Sequence, residues 1–144
     1  MTIWQFNRQV SSRLLQINIV NMMLGQRLLR YEGFWKGVGT QAVAWSSINI
    51  AIAFFGNLFT RRRLDKLENP FEVSVVTKEA VNLRRVLWIN TGLDVLYMVG
   101  GLILARTRGK QSAFARGNGM GIVLQGLLLF VFDLVHALRV PMTE

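Results

Sequence analysis

The stretch VLWINTGLDVLYMVGGLILA, Val86 to Ala105, decides the fold, and its only charge is Asp94. A helix rises about 1.5 Å per residue, so roughly 20 apolar residues cross a hydrocarbon core about 30 Å thick. Two further stretches meet that length. Gly37 to Thr60 holds no ionisable side chain, and Gly119 to Leu138 holds only Asp133 and His136. With 144 residues there is room for one domain, and 51% hydrophobic residues is high for a soluble domain of this size. The pattern predicts an all-α, polytopic membrane protein.

Composition removes other classes. No cysteine is present, so there is no disulfide framework and no thiolate metal site. A formal charge of +9 would suggest nucleic acid in a soluble protein. Here the Lys and Arg residues flank spans and meet lipid headgroups, so membrane lipids are the expected partners and nucleic acid is not. The start, MTIWQFNRQVSSRLL, lacks the basic start, apolar middle and small-residue cleavage site of a secretory signal peptide.

The expected helices cover about 10–30, 36–67, 77–106 and 115–139, packed as a four-helix bundle. Three of them cross the membrane. The short first helix spans or is partly inserted, because LLQINIVNMMLGQ (14–26) is uncharged but brief. Its Asn18, Asn21 and Gly25 form one narrow uncharged stripe, suited to packing against other membrane helices rather than to lying in the interface. In ENPF (68–71) Pro70 disfavours a helical Asn69. The third helix is expected to resume near Thr77, with Thr77 as N-cap and Glu79 in the first turn.

Basic residues set the orientation. Arg61, Arg62, Arg63, Lys66, Lys78, Arg84 and Arg85 crowd the second connection, while Arg27, Arg30, Lys36, Arg106, Arg108, Lys110 and Arg116 fall at the other end. The denser cluster predicts a cytoplasmic 61–85 connection in an inner (plasma) membrane, with Arg61, Arg62, Arg63, Arg84 and Arg85 at the headgroups.

The polar residues inside the spans share a depth. Asp94 lies about 12 Å from the cytoplasmic end of its span, and Asp133, Asn49 and Asn18 lie near the same level. Asn90, Asp94 and Tyr97 occupy one face of the third helix. Gln41, Trp45 and Asn49 line the second, and Gln125, Asp133 and His136 cluster on the fourth. An aspartate against lipid at the bilayer centre costs roughly 2.5–3.5 kcal/mol, so a shared interior network is expected. That network either holds helices together or handles a proton, an ion or a small ligand. His136 follows Asp133 by one helical turn, so the two side chains can touch, and a hydrogen-bonded histidine is favoured over a ligand. A carboxylate orienting an imidazole serves metals, pigments and proton relays, but this is the only histidine. The cofactor is left open. RGNGMG (116–121) has no preceding strand and is read as close-packing glycines, not a dinucleotide loop.

INTGLDVLYMVGG (89–101), GNGMGIVLQGLLLFVFDLV (117–135) and WSSINIAIAFFG (45–56) carry a resemblance. Their Asn-x-Gly-Leu-Asp-x-x-Tyr, Gln-Gly and Phe-Asp elements resemble an uncharacterised bacterial family of small four-helix membrane proteins. Where that family's pattern has Phe-His before the second helix, this chain has Phe34-Trp35. The resemblance implies four helices and weight on Asn90, Asp94, Gln125 and Asp133, and it implies no reaction. With no catalytic motif, the expected function is non-enzymatic: an accessory subunit packing against other integral membrane subunits, in a respiratory or photosynthetic assembly. The alternative is a binding or transport protein that uses the Asp94/Asp133 layer.

Overall fold

The computed structural model describes residues 1–142. Four helices follow one another: α1 (Ile3–Leu28), α2 (Phe34–Lys66), α3 (Val73–Arg106) and α4 (Ala113–Arg139), with a single 3-10 turn at Arg108–Lys110 before α4. Three segments, Phe34–Lys66, Val73–Lys110 and Ala113–Arg139, are long and apolar enough to cross a membrane. Their exposed faces carry Ile48, Ile52, Phe54 and Phe55, then Val95, Leu96 and Val99, then Leu124, Leu127 and Val131. Such faces suit hydrocarbon.

Two helices begin earlier than expected. α1 starts at Ile3 because Thr2 and Gln5 form a capping box: Gln5 N–H donates to Thr2 Oγ1 (3.2 Å) and Thr2 N–H to Gln5 Oε1 (3.0 Å). α3 starts at Val73, a turn before Thr77, with Glu72 at the N-cap position. Thr77 is therefore inside the helix and is not its cap. Glu79 pairs instead with Arg63 of α2 at 2.8 Å.

α1 runs antiparallel to α2, and polar rungs fix the register. Asn7 Nδ2 donates to Thr60 Oγ1 (3.2 Å), Asn49 Nδ2 to Asn18 Oδ1 (3.2 Å), and Asn21 Nδ2 to Ser46 Oγ (2.8 Å). The asparagines of α1 thus turn towards α2, and Asn18 is fully buried. Ile17, Ile19, Val20, Met23 and Leu24 face out. With 26 residues, α1 is about 39 Å long and lies along the bundle as its fourth helix.

Two packing regimes divide the molecule. α2 and α3, with 33 and 34 residues, are about 50 Å long and outrun the bilayer. At the end bearing their connection, the excess closes over an apolar cluster that includes Trp4, Phe6, Val10, Ala80, Leu87 and Phe132. Burial from water drives that packing. Within lipid no such drive exists between helices, so close backbone approach takes over. α2 crosses α4 at Gly37 and Gly117, where a Cβ on Gly117 would strike the Phe34 carbonyl oxygen and one on Gly37 that of Phe114. Gly33, at φ +59°, makes the reversal that feeds α2 into this crossing. α3 lies along α4, while α2 and α3 have almost no backbone contact.

Candidate functional site

Where α2 and α3 part, the bundle holds a cavity of about 170 Å³, lined by Leu14 of α1, Trp45, Ile48, Asn49 and Ile52 of α2, Asn90, Leu93, Asp94 and Tyr97 of α3, and Leu129 and Asp133 of α4. Helical side chains lean towards the N-terminus of their own helix. α3 and α4 run in opposite directions, so Asp94 and Asp133 lean towards one another although their Cα positions are offset. Their carboxyl groups come within hydrogen-bonding reach.

Both are buried, Asp94 at 3% exposure and Asp133 at 8%. Among the described residues no cation pairs with either, and no N–H or O–H reaches Asp94 Oδ2. Arg13, a candidate counter-charge by its position, is exposed. A carboxylate only accepts, so contact between two of them is a hydrogen bond only when one carries a proton. Two bare unit charges about 4 Å apart repel by roughly 4 kcal/mol at an effective dielectric of about 20. That far exceeds the ~0.6 kcal/mol of a typical interhelical hydrogen bond in lipid. The pair is therefore stable only with a proton or another positive charge between its members.

The other polar residues separate into distinct groups. Asn49 bonds Asn18, whose own Nδ2 donates to the Leu14 carbonyl at 2.9 Å. This places an amide dyad beside the acid pair without a bond to it. Asn90 lines the cavity and bonds to no side chain among the described residues. Tyr97 stands at the rim, edge-on to Trp45 with ring centroids 4.8 Å apart, and the Trp45 indole N–H donates to Gln41 Oε1 at 3.2 Å. Gln125 is elsewhere: it exchanges hydrogen bonds with Asn21 (2.7 and 3.3 Å), which also holds Ser46. Farther along, Gln41 Nε2 donates to Asn118 Oδ1 at 2.7 Å. The expected single network is instead four separate groups: the acid pair, the Asn18–Asn49 dyad, the Asn21–Ser46–Gln125 cluster and the Trp45–Gln41–Asn118 chain.

His136 does not meet Asp133. Its Nδ1 lies 2.6 Å from the Phe132 carbonyl, its ring tilts against Phe132 and meets Phe6 edge-on, and Nε2 has no partner among the described residues. Among the described residues no three His, Asp or Glu side chains could hold a metal ion. Arg61, Arg62, Arg63, Arg84 and Arg85, expected at the headgroups, are all exposed at the end bearing the 61–85 connection.

Sequence reasoning overlooked Ser46 and Asn118. Ser46 stands one turn before Asn49 on the same face and faces Asn21. Asn118 sits within the glycine run that drew attention for packing alone. In both cases a small polar residue at helical spacing from a larger one was the available signal.

No curated protein and no solved structure matches this chain. A family model does, over residues 13–134, a span that includes both aspartates and stops short of His136. The chain belongs to DUF6992, a family of unknown function.

Proposed function

We propose that this chain is a non-enzymatic, membrane-embedded binding protein that holds a small cationic group, in place of the shared proton, between Asp94 and Asp133. The observation that carries the proposal is the buried Oδ2 of Asp94, unpartnered among the described residues, beside a second carboxyl at the wall of a cavity. An intramembrane carboxylate without a counter-charge marks a functional site by default. A divalent metal would need more ligands than the two carboxyls supply. The positive-inside preference further supports a cytoplasmic 61–85 connection in an inner membrane, since Arg61, Arg62, Arg84 and Arg85 are exposed there, beside the Arg63 that pairs with Glu79.

The test is a ligand titration of the protein in lipid nanodiscs, followed by thermal unfolding. A ligand bound only by the folded state raises stability by about 2.7 kcal/mol at a hundred times its Kd. Among sodium, potassium and alkylammonium salts, at least one should stabilise the protein and leave Asp94→Asn unmoved. No response to any of them, or an equal response from Asp94→Asn, overturns the proposal.

A second reading, an accessory subunit in a larger membrane complex, is favoured by a different observation. A Cβ built on Gly92 or Gly100 meets nothing within 4 Å. The outward face of α3 therefore offers bare backbone that the described residues leave uncovered, which suits a helix of another integral membrane subunit. Crosslinking from that face in native membranes tests it.

A further inference from the structure

The acid-pair cavity opens at mid-depth of the bundle, not at either end. Asp94 lies eight residues from Val86 and eleven from Ala105, hence about 12 Å from one edge of its apolar span and about 16 Å from the other. The polar floor is closed. The apolar rim is not: Ile48 and Ile52 are each 57% exposed, and Leu93 and Tyr97 each 40%. These four side chains come from α2 and α3, the two helices whose backbones stay apart. In a bilayer the opening faces acyl chains. Whatever reaches Asp94 this way must first dissolve in the membrane, which inorganic ions do not.

We infer that the occupant is a lipophilic amine, entering sideways from the bilayer between α2 and α3 and placing its ammonium head between Asp94 and Asp133; this rests on the cation-binding reading above. The charge follows from the two carboxyls, which an ammonium satisfies with N–H donors in place of the shared proton. Asn90 stands beside the head position with its amide uncommitted. The rings of Trp45 and Tyr97 line the same cavity, and aromatic faces attract organic cations. Size limits the head. A cavity of about 170 Å³ is close to the ~150 Å³ that accommodates benzene. It takes an ammonium and the first few carbons, and the rest of the molecule runs out along Ile48, Ile52 and Leu93 into lipid.

The route and the occupant are tested together by carboxyl labelling in lipid nanodiscs. A carbodiimide adds a protonated carboxyl across one C=N bond, and the adduct rearranges to a stable acylurea that mass spectrometry locates. Dicyclohexylcarbodiimide, which partitions into lipid, should label Asp94 or Asp133, and a water-soluble, charged carbodiimide should not. Dodecylammonium should suppress the labelling at least tenfold, while tetramethylammonium and sodium at equal concentration should not. Leu93→Trp, which fills the rim and keeps both acids, should abolish labelling without changing elution or melting. Equal labelling by both reagents, or protection by sodium alone, overturns the sideways route and the amine but leaves cation binding standing. Labelling by neither reagent, together with no cation response in the titrations, overturns cation binding itself.

Discussion

The indole N–H of Trp4 donates to the carbonyl of Pro70 across 2.9 Å, which ties the start of α1 to the turn between α2 and α3. The ring itself is 4% exposed, inside the apolar cluster that caps the bundle. Two contributions can therefore be separated. Trp4→Phe removes the hydrogen bond and keeps most of the packing, at an expected cost of about 1 kcal/mol. Trp4→Ala removes both and should cost about 3–5 kcal/mol. Thermal or denaturant unfolding in mild detergent measures the difference. Equal losses would mean that the tie to Pro70 dominates.

Gly117 and Gly92 make opposite predictions for one substitution. A methyl on Gly117 meets the Phe34 carbonyl, and backbone cannot move aside as a flexible side chain can. Gly117→Ala should force α2 and α4 apart and destabilise the bundle by at least 1–3 kcal/mol, the usual range for overpacking. A methyl on Gly92 meets nothing within 4 Å. Gly92→Ala should be neutral or slightly stabilising, because alanine favours helix over glycine by up to about 1 kcal/mol. Unfolding midpoints of the two variants, measured side by side, check both.

Asn21 holds three helices at one point, donating to Ser46 of α2 and exchanging bonds with Gln125 of α4. Interhelical bonds in lipid average about 0.6 kcal/mol and reach about 1.7. A double-mutant cycle on Asn21→Ala and Gln125→Ala should give a coupling near the top of that range, since two bonds join the pair. A coupling near zero would show that neither side chain fixes the packing of α1 against α4.

The spans were legible because charge is absent over Gly37 to Thr60 and nearly absent over Val86 to Ala105, and burying a charge in lipid is costly enough to leave that mark. The helix starts were less legible. The first turns of α1 and α3 lie in the capping cluster, where Trp4, Phe6, Val75 and Val76 pack among polar neighbours. Hydropathy does not separate them from a surface loop, and the β-branched valines of VSVV (73–76) have slightly low helix propensity. The site was half legible. Depth alone placed Asp94 and Asp133 at one level, but the direction of each side chain depends on helix rotation. The same uncertainty made His136 look like a partner of Asp133, one turn away. In the fold the aspartate turns to α3 and the imidazole to the carbonyl of Phe132.

Replacing either aspartate by asparagine asks what the acid pair contributes to folding. If carboxylates held the helices together by accepting bonds, each loss should cost about 1.5–3 kcal/mol, the usual worth of a hydrogen bond to a charged group. The arrangement argues otherwise. Among the described residues no N–H or O–H reaches Asp94 Oδ2, and the Asp133 carboxyl lies within hydrogen-bonding reach. An amide at either position supplies a donor to the remaining carboxyl, as the shared proton does, and removes the roughly 4 kcal/mol repulsion that deprotonation would bring. Asp94→Asn and Asp133→Asn should therefore each fold with stability within about 1 kcal/mol of the parent or above it, and the double variant should fold as well. Denaturant unfolding of all four proteins in the same detergent decides the matter. A loss of several kcal/mol on Asp94→Asn alone would assign that residue to holding the bundle together. Retained stability leaves the cost of burying two acids without a structural return, which is the condition expected of a site kept for binding.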